Sequence, residues 1–150
     1  MSLYFADTSA LIKRYVAEPG STWVRGWVDP AVGNTVVISR LTTVEVVAGL
    51  ARRQRESSIS PADFATLRGR FITDLDKQYI VIGLRKHVLT LARNLAALYP
   101  LRALDAIQLA CALESRKTLG VVMTFVAADH RLLTAAAAEG FTTDDPNLHP

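Results

Sequence analysis

The sequence predicts an α/β fold: a mainly parallel central sheet of four to five strands flanked by helices, within one domain over residues 1–150. Three observations lead there. Short runs rich in aromatic and β-branched residues alternate with longer segments of helical periodicity, and strands joined by helical crossovers pair in parallel. Half the residues are hydrophobic and 21% are charged, which is enough apolar surface to cover a sheet on both faces. The 8 Gly and 6 Pro are few and scattered, so no linker, repeat or low-complexity tract divides the chain.

The elements follow in order. Leu3 to Ala6 is the first strand, after which Thr8 or Ser9 caps a helix to about Tyr15. Ser21 caps a second helix to about Trp27, and the β-branched run Thr35 to Ser39 is the second strand. Thr42 opens a helix reaching about Glu56, and Ser60-Pro61 supplies a cap and a first-turn proline for the next. Tyr79 to Ile82 is the third strand, and a helix from about Lys86 to Leu98 ends before Pro100. A long helix from about Ala103 to Leu119 stops at Gly120. Val121 to Val126 is the fourth strand, His130 to Glu139 a short helix closed by Gly140, and Phe141 to Thr143 a last short strand.

Composition excludes several function classes. There are 17 Lys and Arg against 14 Asp and Glu, a net charge of +3 that permits a polyanionic partner without requiring one. A lone cysteine, Cys111, rules out an intrachain disulfide framework and a Cys-based zinc cluster, and it fits a reducing compartment. Asp7 interrupts the apolar stretch that a signal peptide would need. No run reaches the roughly 20 apolar residues of a spanning helix, because Arg93, Arg102, Asp105, Glu114 and Arg116 break the most apolar third. A cytoplasmic protein with no membrane partner is expected.

Ten of the 14 acids, Glu18, Asp74 and Glu114 among them, lie in polar or turn-like surroundings. Four do not: Asp7 after Tyr4-Phe5-Ala6, Glu45 within Val44-Glu45-Val46-Val47, Asp105 within Leu101 to Ala110, and Asp129 after Phe125-Val126-Ala127-Ala128. An ionised carboxylate removed from water costs several kcal/mol unless cations or hydrogen bonds offset it. Each has a plain structural use. Asp7, Asp105 and Asp129 are placed to cap helices, and Thr42-x-x-Glu45 matches a capping box. Their joint placement argues for more. Asp7 and Asp129 follow strand ends, while Glu45 and Asp105 open helices that can face the same sheet edge, where ligands of open α/β folds collect. Four converging carboxylates repel unless a divalent cation neutralises them, and oxygen-only ligation favours Mg²⁺ or Mn²⁺. Metal-dependent phosphoryl chemistry is the expectation.

These same stretches resemble the PIN domain (PilT N-terminal nuclease domain), and specifically its VapC-type toxins. FADTSALIKRY is similar to that family's first strand and helix, TTVEVVAGLAR to the helix of its second acid, and LRALDAIQLACAL to the helix of its third. FVAADHRLLTAAAAEGF resembles the final strand-turn-helix with the fourth acid, and DPNLHP the tail. The resemblance implies a PIN fold and an Mg²⁺- or Mn²⁺-dependent endoribonuclease acting on RNA. It also implies a cognate antitoxin and a homodimer. Residue by residue it implies Asp7 and Asp105 as metal ligands, with Asp129 completing the site directly or through water. Glu45 would orient or activate the attacking water, and Ser9 would hold the Asp7 loop. One position departs from the pattern: many relatives carry Ser or Thr two residues before the fourth acid, where this chain has Ala127, so a less tightly held Asp129 is expected.

The remaining signals leave alternatives open. Arg52, Arg53 and Arg55 suit a solvated helix end, or contact with RNA phosphate or an acidic antitoxin segment. Arg102 suits a substrate phosphate or the balancing of an acid, and Lys13 and Arg14 face similar alternatives. His130, beside Asp129, reads as a surface residue or cap, and Cys111 as buried and inert. Of Trp23 and Trp27, one belongs to the core and the other is open to core or to a partner groove. The competing function is a PIN-like module that grips RNA or a protein without cutting.

Overall fold

The computed structural model describes residues 1–150. Five strands form one all-parallel sheet: β1 (Leu3–Ala6), β2 (Thr35–Ser39), β3 (Ile80–Ile82), β4 (Thr124–Val126) and β5 (Thr142–Asp144). Their spatial order is β3-β2-β1-β4-β5, so the chain builds outward from β1 on one side and then returns to build on the other. The reversal lies between β1 and β4, where Tyr4, Phe5 and Ala6 pair with Thr124, Phe125 and Val126. In open parallel sheets the crevice beyond the carboxyl ends at such a reversal is where ligands bind.

Seven α-helices connect and cover the strands: α1 (Thr8–Leu11), α2 (Ser21–Val28), α3 (Arg40–Arg55), α4 (Pro61–Lys77), α5 (Lys86–Leu98), α6 (Ala103–Leu119) and α7 (His130–Ala138). Period-two alternation along the strands sends side chains to two separate cores. Phe5, Val37 and Phe125 point into a layer shared with α5, α6 and α7. Ala6, Val36, Ile38 and Val126 point into a second layer shared with α1 to α4. Phe5 stacks on Phe125 with centroids 5.4 Å apart, joining the two strands that flank the reversal.

Several boundaries differ from the sequence expectation, each for a local reason. The fourth strand starts at Thr124, because Val121 and Val122 lie exposed in the turn after Gly120, which ends α6 at φ +65. The third starts at Ile80, and the last is Thr142–Asp144. The first helix tightens into a 3₁₀ turn at Ile12–Arg14. The N-cap of α2 is Gly20, while the Ser21 hydroxyl accepts from Glu18 N and donates to Val16 O. The N-cap of α3 is Ser39, whose hydroxyl accepts from Leu41 N at 2.9 Å, so Thr42 lies inside that helix. No helix is long and apolar enough to cross a membrane.

Candidate active site

Four segments bring the four singled-out acids to the carboxyl edge of the sheet. Asp7 directly follows β1, and its N–H donates to Val126 O at 3.0 Å, extending the β1–β4 pairing by one residue. Its side chain caps α1, accepting from Ser9 N at 3.1 Å and from the Ser9 hydroxyl. Ser9 Oγ in turn accepts from Ala128 N at 2.9 Å, which ties the loop after β1 to the loop after β4. Asp7 is only 5% exposed. Burial pushes its carboxyl up to about 6, with repulsion from Glu45 and Asp105 adding to the rise and the Ser9 hydrogen bonds opposing it.

Glu45 lies in the second turn of α3 and makes no capping box. Its Oε1 accepts from Thr8 Oγ1 at 2.8 Å and from Gln108 Nε2 at 2.9 Å. The Thr42 hydroxyl belongs to the same network, accepting from Gln108 at 2.9 Å and standing 3.0 Å from the Thr8 hydroxyl, whose single proton goes to Glu45. The capping-box reading fails because Ser39 starts the helix three residues earlier than Thr42.

Asp105 does not cap α6, whose N-cap is Arg102 without a side-chain hydrogen bond. It sits in the first turn, where the helix dipole favours negative charge. Asp129 does cap α7, its Oδ1 accepting from Arg131 N at 2.9 Å and Leu132 N at 3.1 Å. Arg102 bridges the two acids, donating from Nε to Asp105 at 3.1 Å and from a terminal nitrogen to Asp129 at 3.2 Å. Asp129 is therefore held by three donors despite Ala127.

All four acids, with Ser9, line one cleft of about 760 Å³. Its other wall is basic, carrying Lys13, Arg52, Arg53 and Arg55. Glu18, expected among the surface acids, is a half-buried hub that takes Lys13 Nζ at 3.3 Å and Arg53 Nε at 3.1 Å. Burial alone would raise its carboxyl, but Arg53 and Lys13 outweigh that and hold it below the ordinary range. Arg52 and Arg55 are the more exposed members of this wall. A second groove of about 640 Å³, between α5 and α6, is mostly apolar and holds none of the acids.

The carboxylates share the cleft, yet no three His, Cys, Asp or Glu side chains stand together as one ligand set. Mg²⁺ does not require that, since it commonly keeps several waters and takes one or two carboxylates directly. An all-oxygen set around a buried, charge-strained Asp7 suits such a hydrated hard cation.

Other residues fall outside the cluster or were unanticipated. His87 pairs with Glu114, and His149 pairs with Asp144 while stacking on Trp23. Trp27 is the core tryptophan and Trp23 is half-buried. Cys111 is buried, with its thiol pushed up to about 11 by desolvation. Thr8, Thr42, Gln108 and Glu18 belong to the site, although nothing in the sequence pattern marks them as a group. Gln108 alone carries a signal, since it lies three residues after Asp105 and so on the same helix face.

A PIN domain profile matches residues 4–137. The chain is 33% identical over 147 residues to Ribonuclease VapC47 of Mycobacterium tuberculosis (strain CDC 1551 / Oshkosh), a match covering 96% of this chain and 97% of that protein. A solved toxin-antitoxin complex from Klebsiella pneumoniae superposes with a TM-score of 0.64 at 19% identity, covering 95% of this chain and 97% of its counterpart. FitAcB from Neisseria gonorrhoeae gives 0.66 at 16% identity, covering 96% and 98%. These structural likenesses establish a shared fold.

Proposed function

Because the chain belongs to the PIN domain family, we propose that it is a metal-dependent endoribonuclease, the toxin of a type II toxin–antitoxin pair. The observation that carries this reading is the meeting of Asp7, Glu45, Asp105 and Asp129, from four separated segments, in one cleft at the sheet reversal. The relatives support it: one is named a ribonuclease, and another is solved as a toxin-antitoxin complex.

In this reading Asp7 and Asp105 would hold Mg²⁺ or Mn²⁺ directly, and Asp129 would do so directly or through water. When bound, the ion supplies neutralising charge at the scissile phosphate and makes a water nucleophilic at neutral pH. The protein does the rest. Ser9 holds the Asp7 loop through its bonds to Asp7 and Ala128. Glu45 orients the attacking water and takes its proton. The basic wall receives the RNA backbone, with exposed Arg55 and Arg52 facing phosphates, the latter by exchanging its exposed pair with Glu56. The 2′-OH takes no part in this attack, so the products carry 5′-phosphate and 3′-hydroxyl ends.

The chain acts as one PIN domain in the cytoplasm, silenced by a cognate antitoxin. It works as a homodimer, for which exposed Leu89, Leu98 and Leu104 on α5 and α6 offer apolar surface. One observation favours the second reading, a non-cleaving RNA- or protein-binding module: Arg102 already bridges Asp105 and Asp129 and offsets part of their charge. Purified protein with Mn²⁺ should cut RNA, and Asp7→Asn or Asp105→Asn should slow cutting at least about 100-fold. Equal cleavage by the variants would sink the nuclease reading. Calorimetry with no Mn²⁺ uptake at high metal would favour the binding module.

A further inference from the structure

We propose that Gln108 is a positioning residue for Glu45, holding one carboxylate oxygen in place so that the other meets the attacking water. The proposal rests on the reading of Glu45 as the group that takes the water's proton.

The geometry around Gln108 is unusual for a helix interior. The residue is 1% exposed, one turn beyond Asp105 on α6. Its Nε2 faces three oxygens: Glu45 Oε1 and Thr42 Oγ1 at 2.9 Å each, and Thr8 Oγ1 at 3.2 Å. An ionised carboxylate only accepts, so the amide nitrogen must point at Glu45, and this settles which way the amide is turned. The consequence is a buried carbonyl oxygen: Gln108 Oε1 meets no protein donor. A buried acceptor left unsatisfied costs about 1–3 kcal/mol, which a methionine of similar length would not incur. The fold bears that cost at a residue whose other end grips a candidate catalytic acid.

The effect on Glu45 is asymmetric. Thr8 and Gln108 both donate to Oε1, and no protein donor reaches Oε2. One oxygen is pinned while the other remains available. The link also crosses the molecule, because α3 packs in the core layer on one face of the sheet and α6 in the layer on the other. Gln108 thus keys Glu45 on α3 to Asp105 on its own helix and, through Thr8, to the neighbouring Asp7. Two donors from different elements, the Gln108 amide and the Thr8 hydroxyl, converge on a single oxygen of that acid and so fix its orientation.

The test uses full-length protein, Mn²⁺ and a fluorescein-labelled single-stranded RNA of mixed sequence. Gln108→Met should lower kcat by about 10–100-fold, the usual effect of removing a partner that orients a site residue, with KM for RNA changed less than about twofold. The double variant with Glu45→Gln should be no slower than Glu45→Gln alone, since both remove the same function. Independently of cleavage, the Gln108 side-chain NH₂ should exchange slowly with solvent by NMR, and its resonances should move in Glu45→Gln. Should Gln108→Met fail to fold, Thr8→Val provides the second arm, with a smaller loss that is likewise non-additive with Glu45→Gln. Wild-type speed in Gln108→Met, full additivity in the double variant, or a freely exchanging amide each overturns the proposal while leaving the reading of Glu45 standing. Wild-type speed in Glu45→Gln with the amide still protected removes that reading, and the proposal with it.

Discussion

Asp7→Asn should abolish cleavage and, at the same time, stabilise the metal-free protein. Asp7 is buried and its carboxyl is pushed up to about 6, against an ordinary value of 3.8. A difference of that size, at about 1.4 kcal/mol per pH unit, corresponds to something like 3 kcal/mol. The sign follows from the direction of the shift. The folded chain binds this proton more tightly than the unfolded chain, so the stabilisation is complete below pH 3.8 and is lost as pH rises through 6. Above that pH the folded protein carries the full penalty of a buried, repelled carboxylate. Asparagine removes the charge, but it keeps one acceptor for Ser9 and adds an amide that needs a partner of its own. The net gain at pH 8 should therefore be about 1–3 kcal/mol. For a chain of this length that raises Tm by roughly 3–10 °C.

The assay is thermal unfolding of both proteins in EDTA from about pH 4 to 8, a range that brackets the shifted carboxyl. The gap in Tm should be widest at the alkaline end and should close as pH falls through 6 towards the ordinary carboxylate range. Mn²⁺ at about 100 times its Kd should then raise the wild type by about 2.7 kcal/mol and the variant far less, because the ion relieves a repulsion the variant lacks. A variant that melts at or below the wild-type temperature at alkaline pH, or a gap independent of pH, would refute the idea that Asp7 is charge-strained.

Three further outcomes are expected. Arg102→Ala should tighten Mn²⁺ binding severalfold, because Asp105 and Asp129 lose their built-in counter-charge, and it should lower the salt slope of RNA binding by about one; unchanged calorimetric affinity for Mn²⁺ would contradict this. Gly20→Ala should lose about 1–3 kcal/mol and loosen the Pro146–Leu148 turn, since Gly20 sits at φ +87 and an added Cβ would lie 2.2 Å from Pro146 O. Denaturant melts, with tryptophan emission reporting the Trp23–His149 stack, read this directly. Phe125→Ala should cost about 3–5 kcal/mol by chemical denaturation, because it empties the fully buried position against Phe5 and Phe141.

The sheet was legible in the sequence because both of its faces are buried, so its strands stand out as apolar β-branched and aromatic runs against amphipathic helices. Strand ends were harder to see, because a partner rather than propensity sets them. Val121 and Val122 favour a strand as strongly as Val126 does, yet β1 has only four residues, and its pairing with β4 begins at Tyr4–Thr124. Tyr79 likewise reads as strand, but its hydroxyl is recruited by Tyr15 at 2.6 Å and pairing begins at Ile80. Competition also decided the start of α3. Ser39 and Thr42 are both capping residues, and Ser39 prevails because β2 delivers it to the sheet edge in extended conformation.

The acids were legible for a different reason, their cost. A carboxylate inside an apolar run is conspicuous in the bare order of residues. The capping and clustering readings of Asp7 and Asp129 prove compatible, because a strand-to-helix turn at the sheet edge caps a helix and faces the cleft at once. Thr8, Thr42 and Gln108 gave no such signal. A neutral amide or hydroxyl in a helix pattern carries no visible penalty, and its partners lie 34 to 100 residues away. What sequence reveals of a site like this one is the set of charges the fold must accommodate. The neutral groups that aim those charges emerge only when each buried donor and acceptor is followed to its partner, and an orphan such as Gln108 Oε1 shows which bond was kept at the expense of another.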